Sequence, residues 1–284
     1  MKLAPKLFTR RKFLAAAGLC ALGAGYGFGV EPRWLDVGRR EVKLGTNGGR
    51  LPLKLLQLSD LHLSRVVSLS FIAEAVRLGL SLKPDLICLT GDFITKGYRQ
   101  LDGYAEVLKP LADSAPTFAC LGNHDGGLWA AGRHGYRDTN RVREVLSKSG
   151  ATLLHNSAET IRIRDWDLTL VGLGDMWAGE LQPMFAFDSF RPKAGVATVV
   201  LSHNPDSKVS LEPYAWDLLL CGHTHGGQLR LPLLGAPFAP VRDKRFVEGL
   251  HRWDKRWIHV TRGVGNLYGV RLNCPPEASL LTLV

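Results

Sequence analysis

Cysteine is scarce in this chain of 284 residues. The five that it has are Cys20, Cys88, Cys120, Cys221 and Cys274. Three of them, Cys88, Cys120 and Cys221, end short apolar runs, so we predict that they are buried small hydrophobic residues. The scarcity argues against a disulfide framework and against a structural zinc site built from thiolates.

Several other features are missing, and each absence excludes a class of protein. The chain has no internal repeat, and its 22% charged and 45% hydrophobic residues exclude disordered, collagen-like and coiled-coil chains. Basic and aromatic residues are not concentrated in one track, which argues against nucleic-acid binding. No Gly-x-Ser-x-Gly motif marks a serine hydrolase. The glycines at 263–269 do not open a dinucleotide-binding unit, so we predict a turn there.

Acidic residues are absent from the first twelve positions, where half of the formal net charge of +10 is located. There, Arg10 and Arg11 follow Thr9 and precede an uncharged, weakly apolar segment at residues 15–30. A basic region before a short apolar region is typical of an export signal, and the arginine pair makes it similar to twin-arginine signals. The segment is too short and too rich in Gly and Ala to predict a membrane span, and no clear cleavage site is present. Cleavage and retention as an anchor therefore both stay open.

We predict two parts: residues 1–30 as a twin-arginine signal or membrane anchor, and residues 31–284 as one large domain. This organisation predicts export by the twin-arginine translocase, to the periplasm or to the periplasmic face of the inner membrane. The domain is moderately basic, which suits an anionic substrate or contact with an anionic membrane surface.

Short apolar runs alternate with amphipathic stretches between residues 53 and 148. We predict strands at 53–58, 86–90 and 117–121 and helices at 69–82, 101–111 and 140–148. After residue 150 we predict strands at 152–155, 160–163, 168–173, 197–202, 217–220, 228–231, 257–261 and 279–284, and loops at 126–138 and 232–246. The pattern predicts an α/β domain with two sheets and helices outside them.

Polar side chains follow the ends of five predicted strands. In chain order they are Asp60 and His62, then Asp92, then Asn123, His124 and Asp125, then His203, and finally His223 and His225. One such residue alone is more often structural than a metal ligand, but five junctions in order form a joint pattern, because α/β sheets place their sites at strand ends. Oxygen and imidazole ligands without thiolates suit Mn, Fe, Zn, Mg or Co.

The ordered blocks D-x-H, GD, GNHD, H and GHTH resemble the signature of calcineurin-like metallophosphoesterases and span residues 60–225. The twin-arginine segment and the stretches 115–120, 203–208 and 222–230 further resemble the YaeI/YkuE branch of exported bacterial phosphodiesterases, over nearly the whole chain. The resemblance implies a four-layer fold, in which two mixed β-sheets are sandwiched between helices.

The resemblance also implies a site for two divalent metal ions, which are Mn, Zn, Fe or Mg. Its ligands would be Asp60, His62 and His225 for one ion, Asn123, His203 and His223 for the other, and Asp92 for both. Asp92 suits a bridge because a carboxylate has two oxygens. Such a metal pair generates a bridging hydroxide that attacks a phosphodiester. The resemblance makes His124 catalytic, as the group that protonates the leaving oxygen or stabilises its charge.

One position departs from the pattern of the protein phosphatases in this superfamily. They carry a second Asp three residues after the GD carboxylate, where this chain has Thr95. A protein-phosphatase role is therefore disfavoured, and the group that orients His124 stays open. Asp125 is the adjacent candidate, and a loop-capping role is its alternative.

Weaker candidates lie near these motifs. Arg262 could bind a substrate phosphate or form a surface salt bridge, and Asp175 could orient a metal ligand. Asn204 and Gln228 are candidate hydrogen-bond donors beside the ligands. The aromatic residues Trp129, Trp177 and Phe185 could line an apolar pocket or be buried loop aromatics.

The sequence thus predicts an exported phosphodiesterase that depends on two metal ions and acts on a small phosphodiester or a lipid-linked phosphate. The alternative is a lipid pyrophosphate hydrolase of the UDP-2,3-diacylglucosamine type on the same site, which the basic domain and the membrane-proximal signal motivate. A metal-binding scaffold without turnover is a third hypothesis, and the presence of His124 argues against it.

Overall fold

The computed structural model describes residues 10–44, 51–193 and 195–284. Its helices are α1 (Arg10–Gly29), α2 (Leu69–Ser81), α3 (Tyr104–Ser114), α4 (Gly127–Ala131), α5 (Asn140–Ser149) and α6 (Pro183–Asp188). Its strands are β1 (Asp36–Val42), β2 (Leu53–Leu58), β3 (Leu86–Thr90), β4 (Thr117–Cys120), β5 (Thr152–Leu153), β6 (Ser157–Ile163), β7 (Trp166–Gly172), β8 (Ala197–Leu201), β9 (Leu218–Cys221), β10 (Gly249–Trp253), β11 (Arg256–Val260) and β12 (Glu277–Leu283).

The strands form two six-stranded sheets, in the orders β1-β12-β2-β3-β4-β5 and β10-β11-β9-β8-β7-β6. Strands β2 to β5 are parallel neighbours, and β12 runs antiparallel to β2. In the second sheet β7, β8, β9 and β11 are parallel, and two antiparallel hairpins form the edges. Both sheets are therefore mixed, as predicted.

Alternation along the strands divides the apolar side chains between layers. Leu55 of β2 belongs to the core between the two sheets, whereas its neighbour Leu56 packs under the outer helices. Helix α2 covers that outer face with Ile72 and Val76, one turn apart, and the Ser68 hydroxyl accepts a hydrogen bond from its first turn. A third cluster places α6 on the outer face of the second sheet. The predicted four layers are confirmed.

Two local predictions were wrong. Residues 228–231 do not form a strand, because Gln228 has a left-handed φ of 59° and Leu231 closes a turn with Gly235. The predicted loop at 126–138 contains α4, whose five residues are too few to show helical periodicity. The strand β1 was not predicted, because it is a charged edge strand without an apolar run. It pairs with β12.

The N-terminal helix α1 joins the domain through its last turn. The Gly27 carbonyl accepts a hydrogen bond from the backbone N–H of Arg271 (2.9 Å), and the buried Glu31 carboxylate accepts from the N–H groups of Asn273 and Cys274. Thr9 of the predicted signal lies outside the described residues. None of the described helices combines the length and the hydropathy that a membrane span requires.

The cysteine prediction is confirmed for the three residues that it concerned. Cys88, Cys120 and Cys221 are buried, and they carry free thiols, as does Cys274. The side chain of Cys20 lies outside the described part of the chain.

Candidate metal centre

The five predicted motifs meet at the carboxyl ends of β2, β3, β4, β8 and β9. Backbone hydrogen bonds join the loops to one another: Asp60 N–H donates to the carbonyl of Gly91 (2.9 Å), and His62 N–H donates to that of Asp92 (2.9 Å). The loop after β9 joins the one after β8, because Gly222 N–H donates to the carbonyl of His203 (3.0 Å). The loops at the ends of both sheets thus form one continuous rim.

Five side chains of this rim extend from backbone in the left-handed region. They are Asp60 (φ 52°), His62 (48°), Asp92 (55°), His223 (68°) and His225 (51°). This conformation costs on the order of 1–3 kcal/mol for each residue that is not glycine. Strain of this kind concentrates at functional sites, and here all five strained residues are candidate metal ligands.

Glycines let these loops approach closely. A Cβ on Gly122 would overlap the Asp92 side chain, and a Cβ on Gly222 would overlap that of Asp60. The predicted turn at Gly263 and Gly265 also packs closely on Asp60, because a Cβ at either glycine would overlap Asp60 atoms. The Asp60 carbonyl accepts a hydrogen bond from the Gly265 N–H (2.6 Å). Small residues are therefore required at four positions around Asp60 and Asp92.

The first group of candidate ligands contains Asp60, His62 and His225, all buried. Their ligand atoms lie within 4.8 Å of one another, and the Nε2 atoms of the two imidazoles are 3.2 Å apart. Two nitrogens at about 2.05 Å from one tetrahedral ion would lie about 3.3 Å apart. The spacing of this pair therefore fits ligands of a single cation.

The second group contains Asp92, His203 and His223. His203 Nδ1 donates to the carbonyl of Thr90 (2.7 Å), so Nε2 is the ring nitrogen that faces the candidate cation. His223 Nε2 and Asn123 Oδ1 are buried and have no hydrogen-bond partner among the residues that the structure describes. Buried polar atoms normally have a partner, so these two atoms fit the remaining ligand positions.

Asp92 connects the two groups through one oxygen. Its Oδ2 lies 3.4 Å from His62 Nε2 and 3.1 Å from His203 Nε2. Its Oδ1 accepts a hydrogen bond from the backbone N–H of His124 (2.8 Å). The bridge was expected because a carboxylate has two oxygens, but the structure turns a single oxygen toward both groups.

Burial controls the protonation of these imidazoles. It lowers the pKa of His62 and His223 well below the usual range and that of His225 to about 3. Burial also opposes protonation of His203, but the carboxylates of Asp92 and Asp60 raise its pKa well above the usual range. Three imidazoles thus offer lone pairs directly, whereas a cation at His203 must displace a proton.

His124 stands apart from both three-residue groups. Its Nδ1 has no hydrogen-bond partner in the described part of the chain, and its ring contacts those of His62 (centroids 4.8 Å apart) and Trp129 (4.6 Å). Its side chain lines the cavity over the site. This placement suits contact with a substrate.

Asp125 proves to be a loop cap. Its carboxylate accepts hydrogen bonds from four buried backbone N–H groups, those of Asp92, Phe93, Ile94 and Gly122, at 2.7–3.3 Å. It thereby fixes the GD loop against the GNHD loop. Of the two roles left open for Asp125, the structure supports the capping one.

Some of the weaker candidates line the cavity over the site, and the others form ion pairs, cap loops or lie elsewhere. Arg262 forms ion pairs with Asp36 and Glu277 and does not line the cavity. Asp175 and Asn204 cap their own loops by accepting nearby backbone N–H groups. Gln228, Trp129 and Trp177 line the cavity, whereas Phe185 does not.

The cavity over the site has a volume of about 630 Å³. Its lining includes the cationic residues Lys96 and Arg133, which sequence reasoning missed, although they follow the GD and GNHD motifs by four and eight residues. The lining also contains a group of apolar residues. They are Leu229, Phe238, Pro240, Leu267 and Val270.

Comparison with known proteins agrees with this site. The calcineurin-like phosphoesterase family matches residues 53–227. Phosphodiesterase YaeI of Escherichia coli (strain K12) is 45% identical over 98% of this chain and 100% of its own. The uncharacterized metallophosphoesterase YkuE of Bacillus subtilis (strain 168) is 29% identical over 98% of both chains. UDP-2,3-diacylglucosamine pyrophosphatase LpxG of Chlamydia trachomatis is 28% identical over 89% of this chain and 90% of its own.

The family match includes the whole range of the predicted signature, residues 60–225, and the matches to YaeI and YkuE extend over nearly the full length of the chain. The predicted resemblance to the YaeI/YkuE branch is confirmed. The chain therefore belongs to the calcineurin-like phosphoesterase family and is a hydrolase.

Proposed function

We propose that this hydrolase is a phosphodiesterase that uses two divalent metal ions. The observation that carries the proposal is the shared Asp92 Oδ2, which faces an imidazole nitrogen of each candidate ligand group. An anion between two groups of candidate ligands suits a pair of cations, because it offsets part of their mutual repulsion.

The proposed ligands are Asp60, His62 and His225 for one ion and Asn123, His203 and His223 for the other, with Asp92 between them. When bound, the ions acidify a water molecule and offset the negative charge of the phosphate. Their identity among Mn, Zn, Fe and Mg does not follow from this donor set, since all four bind oxygen and imidazole ligands.

The role of His124 follows from its position in the cavity wall. In hydrolysis a water oxygen bonds to phosphorus, and the bond to the leaving oxygen breaks with its electron pair. One proton of the water ends on that leaving oxygen. The side chain of His124 lines the cavity and lies outside both ligand groups, so it can deliver this proton or stabilise the charge.

Hydrolysis of bis(p-nitrophenyl) phosphate tests the proposal directly. The full-length protein should release p-nitrophenol when Mn²⁺ is added, lose this activity after treatment with a chelator, and regain it when the metal is restored. Turnover that persists in metal-free protein, as measured by elemental analysis, would contradict the proposal.

A second candidate is hydrolysis of a lipid-linked pyrophosphate of the UDP-2,3-diacylglucosamine type. The apolar cavity wall favours it, since Phe238 and Tyr268 are 70% and 75% exposed at the cavity although they are aromatic. The relative LpxG bears the name of this activity. Substituting both residues with Ser should then raise KM for the acylated substrate and leave a soluble diester less affected, whereas Leu233→Ser, outside the cavity lining, is the control.

We also propose that residues 1–30 direct export by the twin-arginine translocase, with the enzyme acting in the periplasm or at the periplasmic face of the inner membrane. The adjacent Arg10 and Arg11 support this proposal, as do the exposed apolar residues of α1, which include Phe13, Leu14 and Leu22. A signal of this type is compatible with the domain, because the translocase carries proteins that are already folded.

A further inference from the structure

Two cationic side chains form part of the cavity wall beside His124. Lys96 is half-buried on the loop that follows Thr95, and Arg133 is exposed just after α4. His124 lines the same cavity. Both cations therefore share the cavity with the proposed proton donor.

Arg133 is held in place by an aromatic ring. Its guanidinium carbon lies 4.2 Å from the centroid of Trp129, and Nη1 donates to the Trp129 carbonyl (3.3 Å). Trp129 in turn contacts His124 and Trp177, whose ring centroids lie 4.6 and 5.8 Å away. This stacking supports the guanidinium in the wall of the cavity while most of its N–H donors remain available.

Neither cation has an acidic partner. Within the described parts of the chain, no carboxylate forms an ion pair with Lys96 or Arg133. Asp92 is the sole acidic residue among the described residues that line the cavity, and both of its oxygens are directed to the imidazole groups and to the His124 N–H. Two cations thus face the cavity without a protein anion to neutralise them.

A simple diester carries a single negative charge, and the proposed metal ions already offset it. We propose that Lys96 and Arg133 form a subsite for a second anionic group, a phosphate or carboxylate carried by the leaving group of the substrate. The planar fork of Arg matches either anion, and the ammonium of Lys adds a point charge. This inference rests on the proposed function, because the side of the leaving group is defined by His124.

The subsite separates the two candidate substrate classes. A pyrophosphate diester places a second phosphate directly next to the scissile bond, whereas a diester of two neutral alcohols has no group for these cations to bind. The pyrophosphate diester would use both the subsite and the apolar residues of the cavity lining, and such a substrate is amphiphilic.

A pair of model substrates isolates the second charge. Methyl aryl phosphodiesters of 4-hydroxybenzoate and of 4-hydroxybenzamide have leaving groups of nearly equal size, and they differ by one negative charge. Wild-type enzyme should show a kcat/KM about 10-fold higher for the carboxylate, since one charged hydrogen bond contributes about that factor. The preference should shrink at high salt, because the subsite is partly exposed.

The variants Lys96→Met and Arg133→Met should each remove most of this preference, and Lys96→Arg and Arg133→Lys should retain part of it. Arg141→Met is the matched control for Arg133, because Arg141 also stacks on an aromatic ring, that of Tyr136 (5.3 Å), but outside the cavity lining. Lys255→Met, at an exposed position between β10 and β11, is the control for Lys96. Both controls should keep the wild-type preference.

The outcomes distinguish the subsite from the function on which it rests. Equal kcat/KM for the two substrates in wild type, with metal-dependent turnover of both, would overturn the subsite and leave the phosphodiesterase intact. A preference that survives in Lys96→Met and Arg133→Met would also overturn it. Failure of the metal-loaded enzyme to hydrolyse either diester would instead contradict the proposed function.

Discussion

The Thr95 hydroxyl oxygen lies 3.1 Å from Nδ1 of His62. The same hydroxyl is placed to donate to the His62 carbonyl at 3.4 Å, so it accepts the Nδ1 proton and leaves the Nε2 lone pair directed at the candidate ion. Thr95 occupies the position of the second Asp of the protein phosphatases. In this chain that position orients a proposed metal ligand, and His124 Nδ1 has no partner within the described ranges.

We expect Thr95→Val to weaken metal binding. Valine has a similar shape but cannot accept the Nδ1 proton, so the His62 ring loses the contact that selects its tautomer. Loss of such a contact typically lowers metal affinity or activity by about 10–100-fold. Competition with a chromogenic chelator measures the affinity.

Thr160→Val is the matched control for this substitution. The Thr160 hydroxyl pairs with that of Thr169 across the β6–β7 hairpin, away from the site, at 3.1 Å. Its metal affinity should equal that of wild type. Wild-type affinity in Thr95→Val as well would show that the contact does not orient the ligand.

Asp92→Asn should reduce activity more than the removal of any ligand that serves one ion alone. The amide preserves the shape and can still accept from the His124 N–H, but it removes the negative charge that faces both His62 and His203. Elemental analysis should find one metal ion per chain or fewer. Normal turnover with wild-type metal content would contradict the bridging role.

Asp125→Ala should destabilise the protein by at least about 3 kcal/mol, since it leaves four buried N–H groups without an acceptor. Asp125→Asn should destabilise it too, because its NH₂ group must face N–H donors. Urea unfolding of the metal-free protein measures both effects. Asp113→Ala breaks an exposed ion pair with Lys109 and should change stability by less than about 1 kcal/mol. A loss of similar size in Asp113→Ala and Asp125→Ala would exclude the capping role.

Buried strands and their terminal motifs could be predicted from the sequence, because each has a local signal. The apolar run of β3 is buried along its whole length, and the carboxylate that follows it lies at the sheet edge where the rule for α/β folds places it. In contrast, β1 has only two apolar residues among seven, and its pairing with β12 joins positions that are 241 residues apart, as in Asp36 and Glu277. No local pattern carries that information.

The site shows the same division. The candidate ligands could be recognised because Asp, His and Asn recur at strand ends, but the partner of each ligand depends on distances between loops. Asp125 is one example, because a capping acid and an orienting acid look alike in sequence. Arg133 is another, since its place in the cavity depends on α4 and on the ring of Trp129.

Export should require both Arg10 and Arg11. Replacing the pair with Lys should leave activity in the cytoplasm, because the translocase reads the adjacent arginines as an address and not merely as positive charge. Fractionation of cells, with activity measured in each fraction, checks this. The exposed Arg39 and Arg40 of β1 provide a matched pair, and their replacement with Lys should not alter the distribution. Undiminished periplasmic activity without Arg10 and Arg11 would point to another route or to no export.

The last prediction concerns His124, whose side chain lies outside both ligand groups. His124→Ala and His124→Asn should retain two metal ions while kcat falls by roughly 10²–10⁴-fold, the range for loss of a general acid. The loss should be much smaller for a diester with a weakly basic phenolate as leaving group, because such a group leaves without a proton. A poor leaving group should show the full loss.

Metal stoichiometry and rates for two diesters that differ in leaving-group pKa therefore separate the roles of His124. The side chain of His124 lines the cavity, and its Nδ1 has no partner among the described residues, so a ligand role is the alternative to test. Loss of an ion on substitution would make His124 a metal ligand and contradict its assignment as a catalytic residue. Retained metal with equal losses for both diesters would overturn only proton transfer, and the imidazole would then act by stabilising charge. Retained metal with a loss that grows with leaving-group pKa is the result that we expect, because only a proton donor responds to the basicity of the oxygen that departs.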